Sequence, residues 1–507
     1  MSTPLPIDVL PTWTRFNNVE LDGIQVGQVE GKGLGFVADR DFTNTDKGSP
    51  TLLKIPRDAV LSAEAVGDYA KVDHKFRQLL EGMGHEVGPP PTCATLDVWL
   101  TTRERQTMKT PRTAIMLYLL AHYRAPAGGG AGSHKGIAST PWTEYIRFLP
   151  RQIPTPTLWT EEERLLLRGT SLEKAVNAKL ATLVSEFDHL REISADLPFW
   201  QSLLFGEDAI TVKDWALVDA WYRSRCLELP NAGDSMVPCL DMANHSDAPN
   251  AYYEETSDGE VVLALRPEST ASCGDEVTIS YGAAKSAAEM LFSYGFIDRS
   301  TAKEEITLAL DPLASDPLAQ AKVHVYGRSP LVRLTRAKGE AGVSWHSPFV
   351  YLMCVNEEDG LEFKLLQDNA GGRELRVFWQ DEDVTSKIDD FESHVQTHDL
   401  HSVFQLRVVS VLQQLVEAQL ERTRSSPIPE QEHDASSRQA GGADYVRIVA
   451  TLREMECSLL EEAVASLAEQ QEALLLEDDV RVYLGLTEDG PIETPSAQVT
   501  NEEPDFS

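Results

Sequence analysis

The 507-residue chain has few cysteines, no long apolar run and a shortage of basic residues. Its six cysteines, at positions 93, 226, 239, 273, 354 and 457, form no C-x-x-C pair, which argues against a thiolate zinc site and against a disulfide framework. No stretch of about 18 apolar residues occurs, so we expect no membrane-spanning helix. Reduced thiols and the lack of a membrane span indicate an intracellular protein.

The acidic charge balance disfavours nucleic acid as a partner. The chain has 45 Lys and Arg residues against 80 Asp and Glu residues, a formal net charge of −35. Such a chain repels a phosphate backbone, so nucleic acid is not an expected partner. Two interpretations of the acidic excess remain open: affinity for a basic partner, and a surface that is merely soluble.

The amino-terminal sequence MSTPLPIDVLPTWTRF has prolines where a signal peptide needs an uninterrupted apolar core. It also lacks the Arg-rich amphipathic pattern of a transit peptide. We therefore expect cytoplasmic or nuclear localisation.

Secondary-structure patterns alternate along the chain. Short strands and turns are predicted in the first 65 residues, and a helical pattern follows from about residue 66 to residue 228. Strand character returns between 236 and 282. Beyond residue 300 a mixed region leads into two long amphipathic helices, near 402–421 and 444–474. The two β regions are separated by about 170 residues and neither has enough strands to stand alone, so we expect them to meet in one α+β domain.

Two helix starts can be read from capping residues. Thr110 followed by Pro111 predicts an N-cap and a first helical position. Thr211, with Asp214 three residues later, predicts a capping box.

The segment EGKGLGFVADRDF (30–42) contains alternating glycines at Gly31, Gly33 and Gly35. It is not a dinucleotide-binding fingerprint, because Phe36 stands where that motif needs glycine and the following residues lack helical periodicity. The glycines instead indicate a turn or a close approach of the backbone to a ligand.

The segment MVPCLDMANHSDAPN (236–250) begins like a buried apolar strand and then introduces Asp241, Asn244 and His245. Burial of these polar groups is costly without partners, so they are either a satisfied structural knot or side chains that await ligands. By itself His245 is typical of a core histidine. Arg225 by itself is typical of a cation at a helix C-terminus, and Tyr281 of an aromatic residue at the edge of a core.

Taken together, the segments GKGLGFVA, SR, MVPCLDMANHSDAPN, GDEVTISYG and SYGF occur in the order and spacing of a SET-domain protein. The chain resembles the subgroup typified by the Rubisco large-subunit lysine methyltransferase, in which a helical insert splits the SET domain. The segment PWTEYIRFLPRQIPTPTLWTEEERLLLRGT (141–170) is similar to that insert, and the C-terminal helices are similar in placement to the substrate-binding domain. The resemblance covers roughly residues 15–480.

The resemblance implies an α+β fold: a SET-domain β-fold of short strands, interrupted by a helical insert and followed by a mainly α-helical C-terminal domain. The implied segments are 15–65 and 231–300 for the two parts of the SET domain, 66–230 for the insert, 301–480 for the substrate-binding domain, 424–444 for a disordered loop and 481–507 for an acidic disordered tail.

The resemblance also assigns roles to particular residues. Tyr281 is implied as the catalytic tyrosine. The residues implied to bind S-adenosylmethionine are Lys32, Gly33, Leu34, Arg225, Asn244, His245, Tyr281, Tyr294 and Phe296. Those implied on the substrate side are Asp241, Arg225 and Tyr294. No metal site is implied, and Ala287 stands where the family usually has Asn after the residues KS.

The implied activity is S-adenosylmethionine-dependent methylation of a protein lysine. A basic, Lys-rich, non-histone protein such as a ribosomal protein or translation factor is the expected substrate, Rubisco itself being disfavoured by the absence of a transit signal. We expect a monomer. A protein-histidine methyltransferase and a catalytically silent SET scaffold that only binds a partner remain as alternatives.

Overall fold

The structure is a computed structural model that describes residues 3–43, 49–85, 110–125, 136–282, 285–300, 303–313, 315–336, 342–367, 373–426 and 444–486. The described residues form two compact units. The first contains those within 3–167, 172–303 and 444–449, and the second those within 168–171, 304–426 and 450–486. The domain boundaries inferred from the sequence remain predictions, and the predicted loop and tail lie largely outside the described residues.

The strands of the first unit are short, and their sequences are rich in β-branched and apolar residues. They are β1 (Glu20–Leu21), β2 (Ile24–Val29), β3 (Gly33–Ala38), β4 (Phe42–Thr43), β5 (Thr51–Ile55), β6 (Leu61–Ser62), β7 (Cys226–Leu229), β8 (Gly233–Met236), β9 (Asn244–His245), β10 (Ala251–Glu255), β11 (Val261–Leu265), β12 (Thr270–Ala271) and β13 (Glu276–Ile279).

The sheets join strands from both sides of the helical region. Their orders are β1-β5-β11-β10, β2-β3-β13-β9, β6-β8-β7 and β12-β4. Each sheet therefore contains strands from before residue 65 and from after residue 225. The two separated β regions meet, as the sequence predicts, because each supplies edges that the other covers.

The helices of the first unit lie mostly between the two groups of strands. They are α1 (Leu10–Phe16), α2 (Ala63–Val72), α3 (His74–Gly82), α4 (Pro111–Arg124), α5 (Pro141–Tyr145), α6 (Glu161–Arg164), α7 (Ser171–Ala195), α8 (Pro198–Phe205), α9 (Val212–Arg225) and α10 (Ala287–Tyr294). The core is built around α4 and around Trp200, Trp215 and Trp221, each at most 1% exposed.

The capping residues place two of these helices as predicted. Thr110 accepts a hydrogen bond from the Thr113 N–H at the start of α4, with Pro111 in the first turn. Thr211 and Asp214 form a reciprocal capping box at the start of α9. From this start α9 runs to Arg225.

The predicted strand at the start of MVPCLDMANH is wrong beyond Met236. The backbone leaves the extended conformation at Cys239, whose φ is +69°, and makes a 3-10 turn over Leu240–Met242 before β9. Pro238 supplies no N–H to a sheet, which favours this break. The turn brings Asp241 to one side of the segment and Asn244 and His245 to a separate two-residue strand.

The second unit combines strands and helices. Its strands are β14 (Glu305–Ala309), β15 (Leu331–Arg336), β16 (Val343–His346), β17 (Leu361–Gln367), β18 (Arg373–Trp379) and β19 (Glu382–Asp383), in the two sheets β14-β15-β16 and β17-β18-β19. Its helices are α11 (Ala319–Tyr326), α12 (Val350–Cys354), α13 (Phe391–Val395), α14 (His401–Ser425), α15 (Tyr445–Leu475) and α16 (Asp478–Tyr483).

The two long helices confirm the amphipathic periods read from the sequence, with α14 four residues longer at its end than predicted. The six strands before them occupy the region that the sequence describes only as mixed. The start of the predicted tail, at 481–483, is the end of α16. Within the described ranges no helix combines the length and apolarity that crossing a membrane requires.

Candidate active site

Three strands from distant parts of the chain meet at the centre of the first unit. β13 pairs antiparallel with β3, placing Val277 opposite Phe36. On its other side β13 pairs parallel with β9, placing Thr278 opposite Asn244 and Ile279 opposite His245. The glycine-rich segment, the Asn-His pair and the approach to Tyr281 are thereby brought together.

The side chain of Asn244 ties β9 to the glycine-rich hairpin. Its Nδ2 donates to the Leu34 carbonyl at 3.2 Å and to Glu276 Oε1 at 2.8 Å. A Cβ at Gly35 would lie 2.5 Å from this Nδ2, so Gly35 is required by the close approach of Asn244. Gly33, with φ of +84°, serves the hairpin turn. The predicted turn is thus found at Gly33, while the group that approaches Gly35 is a side chain of the same protein; an approach of this backbone to a ligand stays a prediction.

Lys32 lies in the turn of this hairpin and also reaches β13. Its Nζ is 2.8 Å from Glu276 Oε2 and 3.2 Å from the His245 carbonyl oxygen. Glu276 therefore bridges Lys32 and Asn244. The sequence marks Glu276 only as a polar residue on a strand, and no pattern within it indicates this bridging role.

His245 holds the main chain next to Tyr281. Its Nδ1 accepts the Tyr281 N–H at 3.1 Å, while its Nε2 lies 3.7 Å from Asp298 Oδ2. Burial lowers the pKa of His245, and Asp298 acts in the opposite direction. An accepting Nδ1 leaves Nε2 as the protonated nitrogen of the neutral ring, directed at Asp298.

Tyr281 lies two residues beyond the end of β13, with its hydroxyl fixed. The hydroxyl donates to the Ala243 carbonyl at 2.8 Å, and the ring centroid is 4.7 Å from that of Tyr294. Phe296 completes the aromatic group, with its ring centroid 6.1 Å from that of Tyr294. Burial raises the pKa of Tyr281 well above its usual value and that of Tyr294 to about 12. Both phenols are therefore protonated at neutral pH.

Gly295 sets the position of Tyr294 at the end of α10. Its φ is +83°, and a Cβ there would lie 2.6 Å from the backbone carbonyl carbon of Pro154. Any other residue would push α10 away from the insert. The glycine of the SYGF segment is thus explained by packing, which keeps Tyr294 against Tyr281. Ala287, at the other end of α10, is its first residue and is buried.

A cavity of about 550 Å³ opens beside these tyrosines. It is lined by four of the predicted site residues: Arg225, Asp241, Tyr281 and Tyr294. The other predicted residues, Lys32, Gly33, Leu34, Asn244, His245 and Phe296, do not line it. All of them except Gly33, which serves the hairpin turn, are linked to it through the hydrogen bonds and ring contacts described above.

Arg225 and Asp241 form an ion pair in the wall of the cavity. Arg225 Nε lies 3.5 Å from Asp241 Oδ2, and the Asp241 side chain is only 2% exposed. Burial raises the pKa of Asp241, and Arg225 opposes that rise. Asp241 was expected to face the substrate; in the structure its carboxylate contacts the protein.

Tyr145, like Glu276, is a residue whose role sequence reasoning missed. Its hydroxyl donates to Asp241 Oδ1 and accepts the Cys239 N–H at 2.7 Å. The only available signal was the similarity of PWTEYIRFLP to a known insert, which assigns Tyr145 no role. Through Asp241, the helical insert therefore supports the arginine of the cavity.

The polar residues of MVPCLDMANHSDAPN are thus satisfied within the protein. Asn244 bonds to Leu34 and Glu276, His245 to Tyr281, and Asp241 to Tyr145. That these residues also contact a cofactor or substrate stays a prediction. Internal partners offset the cost of burial and at the same time shape the cavity. Within the described ranges, no group of His, Cys, Asp and Glu could hold a metal ion.

No family model matches the chain. Among curated proteins, it is 27% identical to SET domain-containing protein 8 of Schizosaccharomyces pombe, over 78% of this chain and 82% of that protein. It is 24% identical to the chloroplastic Rubisco large subunit N-methyltransferase of Pisum sativum, over 58% of this chain and 52% of that protein. It is 22% identical to the actin-histidine N-methyltransferase of Callithrix jacchus, over 74% of this chain and 58% of that protein. The chain thus spans little more than half the length of the latter two.

Solved structures share the fold at lower identity. The SET domain of LSMT bound to lysine and AdoHcy matches with a TM-score of 0.58 and 18% identity, covering 96% of each chain. Rubisco LSMT bound to AdoMet matches with a TM-score of 0.59 and 18% identity, covering 96% of this chain and 98% of the other. These likenesses confirm the predicted α+β fold class. The ligands of those structures agree with the cofactor expected from the sequence.

Proposed function

Because the chain has the split SET-domain fold of the Rubisco methyltransferase-like kind, we propose that it transfers a methyl group from S-adenosylmethionine to a lysine of another protein. The observation that carries the proposal is the cavity in which Tyr281, Tyr294 and Arg225 meet. These residues come from three separate segments, and each is held by contacts within the first unit.

The cavity fits a cofactor with a charged and a polar end. Its volume of about 550 Å³ lies within the usual range for small-molecule sites. Arg225 and the Ser224 hydroxyl supply polar groups at its wall, and the Tyr281 and Tyr294 rings supply an apolar face that suits a sulfonium. S-adenosylmethionine, when bound, supplies the electrophilic methyl group.

The cavity must also provide a neutral amine. Lysine has an ordinary pKa near 10.4, so populating its neutral form at pH 7 costs roughly 4.6 kcal/mol. Transfer of the amine from water to a cavity walled by aromatic rings lowers this pKa, because burial disfavours the charged form.

Tyr281 orients the amine in this mechanism. Its proton is committed to the Ala243 carbonyl, so its oxygen offers lone pairs to an amine N–H. The raised pKa keeps the phenol protonated. The proton lost from the target lysine therefore goes to water, and Tyr281 does not act as a base.

The substitution Tyr281→Phe tests the assignment. It removes the hydroxyl and keeps the ring, so we expect transfer of labelled methyl groups to a basic protein fraction to fall by at least about 100-fold, comparable to the loss of one oriented polar group in a catalytic site. Tyr69→Phe is the matched control, because the Tyr69 hydroxyl also donates to a backbone carbonyl, that of Ala138, at 2.8 Å. Transfer by Tyr281→Phe at the wild-type rate would refute the assignment.

Histidine methylation is the second candidate, because a relative matched over 74% of this chain is an actin-histidine N-methyltransferase. Mass spectrometry of modified peptides distinguishes the two, since it reports which residue carries the methyl group. A silent scaffold is the third; isothermal titration with S-adenosylmethionine tests its cofactor-binding half.

For the substrate we propose a basic, Lys-rich protein such as a ribosomal protein or translation factor. The net charge of −35 supports this choice, since it favours encounters with a cationic surface. We further propose that the protein acts as a monomer in the cytoplasm or nucleus. Comparison of protein methylation in cells with and without the protein would identify the substrate and residue together.

A further inference from the structure

A lysine of the protein itself lies in the cavity. Lys285 lines it together with Tyr281 and Tyr294, and its Nζ is 5.8 Å from the centroid of the Tyr294 ring. The Tyr294 ring is itself 4.7 Å from the Tyr281 ring. A primary amine of this chain is therefore present where the proposed function requires a target amine.

The main chain around Lys285 is anchored, which limits where its amine can go. The Lys285 carbonyl accepts the Lys303 N–H at 2.9 Å. The next residue, Ser286, is the N-cap of α10 and forms a capping box with Glu289. The main chain from Lys285 onward is therefore fixed, so the position of its Nζ relative to the cavity depends on the side-chain torsions.

The charged groups around the cavity do not draw the Lys285 ammonium away from it. The positive charge of Arg225 is paired with Asp241. None of the ion pairs between described residues includes the Lys285 ammonium. Its identified contact is with the face of the Tyr294 ring. A methylated amine keeps its positive charge, so this contact is compatible with both the substrate and the product of a transfer.

We propose that Lys285 is a methyl acceptor and that the protein methylates this lysine within its own cavity, an inference that rests on the proposed function. The lone pair of neutral Nζ forms a bond to the methyl carbon as the carbon–sulfur bond of S-adenosylmethionine breaks. The ammonium loses one proton to water before this step, and the products are S-adenosylhomocysteine and a cationic methyl-lysine. Because acceptor and catalytic tyrosine belong to one chain, the step needs no binding of a second protein.

The test uses the full chain and methyl-labelled S-adenosylmethionine, with no other protein present. Cleavage after Glu276 and Glu289 releases residues 277–289, which contain Lys285 as their only lysine. We expect label in this peptide, none in Lys285→Arg, and a loss of at least about 100-fold in Tyr281→Phe. Lys303→Arg is the matched control: it keeps the main-chain N–H that bonds to Lys285 and should label as the wild type does.

A mixture of wild type and Tyr281→Phe distinguishes transfer within a chain from transfer between chains. The same peptide contains position 281, so its mass reports which copy carried the label. Transfer within a chain predicts label only on the peptide with tyrosine. Equal label on the peptide with phenylalanine would overturn the proposal.

The failure of this proposal can be told apart from that of the proposed function. If a basic protein fraction is methylated in a Tyr281-dependent manner while residues 277–289 stay unlabelled, the Lys285 proposal is overturned and the function stands. If neither labelling nor binding of S-adenosylmethionine occurs, both are overturned.

Discussion

Two arginines on the last turn of α9 differ in how completely the protein uses them. Arg223 donates to Asp219 at 2.7 Å, to Thr157 at 2.6 Å and to the Phe292 carbonyl. Arg225, two residues later, has a single carboxylate partner at 3.5 Å, and both arginines line the cavity. Arg223 is tied to the protein through all three of its nitrogens, whereas Arg225 is held by one ion pair and by the Ser224 hydroxyl at 2.7 Å. Within one helical turn, the wall of the cavity therefore combines a tightly held arginine with a less constrained one.

The two aspartates that serve these arginines differ in the same way. Burial raises the pKa of Asp219, but Arg223, Lys179 and Arg112 outweigh burial and lower it to about 2. Burial also raises the pKa of Asp241, and its one cation does not reverse that rise. Three cations around Asp219 favour its ionised form and lower its pKa. Asp241 has one cation, at 3.5 Å, which does not offset the effect of burial on its pKa.

The largest effect is expected from Asp219→Asn. The change removes the fully buried carboxylate that Arg112, Lys179 and Arg223 share, and in the ion pairs between described residues only Arg112 keeps another carboxylate partner, Glu186. Removal of one partner from a buried network costs about 3–5 kcal/mol of the free energy of unfolding. Urea denaturation measures it.

Asp188→Asn is the control for this prediction. Asp188 lies in α7 and pairs with Arg191 at 3.0 Å, but both side chains are more than half exposed. Its loss should cost less than about 0.5 kcal/mol. Equal destabilisation by the two substitutions would show that the buried network does not stabilise the fold.

Lowering the pH is expected to reduce the stabilisation that Asp219 provides. Asp219 has a lower pKa in the folded protein than its ordinary value of 3.8, so its contribution to stability is complete above about pH 4 and is lost as pH falls toward about 2. We expect the stability difference between wild type and Asp219→Asn to shrink by about 2 kcal/mol across that window. Denaturation of both proteins at matched pH values measures it. A constant difference would contradict the assigned pKa shift.

The helix starts could be predicted from the sequence because they depend on local chemistry, and the meeting of the two β regions could be predicted because neither has enough strands to stand alone. Thr110, Pro111 and the Thr211 capping box act within one turn of chain. The course of MVPCLDMANH was not predicted, because its apolar residues fit a strand. Pro238 is a signal in the sequence for the break, whereas nothing there indicates the positive φ of Cys239.

The site was predicted through a resemblance and only in part. Its residue types point to the right region, but Glu276, Tyr145 and Lys285 receive no role from any pattern. Tyr145 contacts Asp241 across 96 positions of the chain, and Glu276 contacts Lys32 across 244. Single-sequence periodicity contains no information on such contacts.

The smallest expected effect concerns Tyr145, which supports Arg225 through Asp241. Tyr145→Phe removes one donor to Asp241 and one acceptor for the Cys239 N–H, so we expect a loss of about 1–2 kcal/mol in stability. If Arg225 is thereby loosened, methyl transfer falls by about fivefold, as about 1 kcal/mol of lost positioning implies.

Tyr118→Phe is the matched control, because Tyr118 is also a buried insert tyrosine whose hydroxyl bonds within the protein, to Thr140 at 2.6 Å. It should lose comparable stability and keep its activity. An equal loss of activity in both variants would mean that the Tyr145–Asp241 contact stabilises the fold and does not position Arg225.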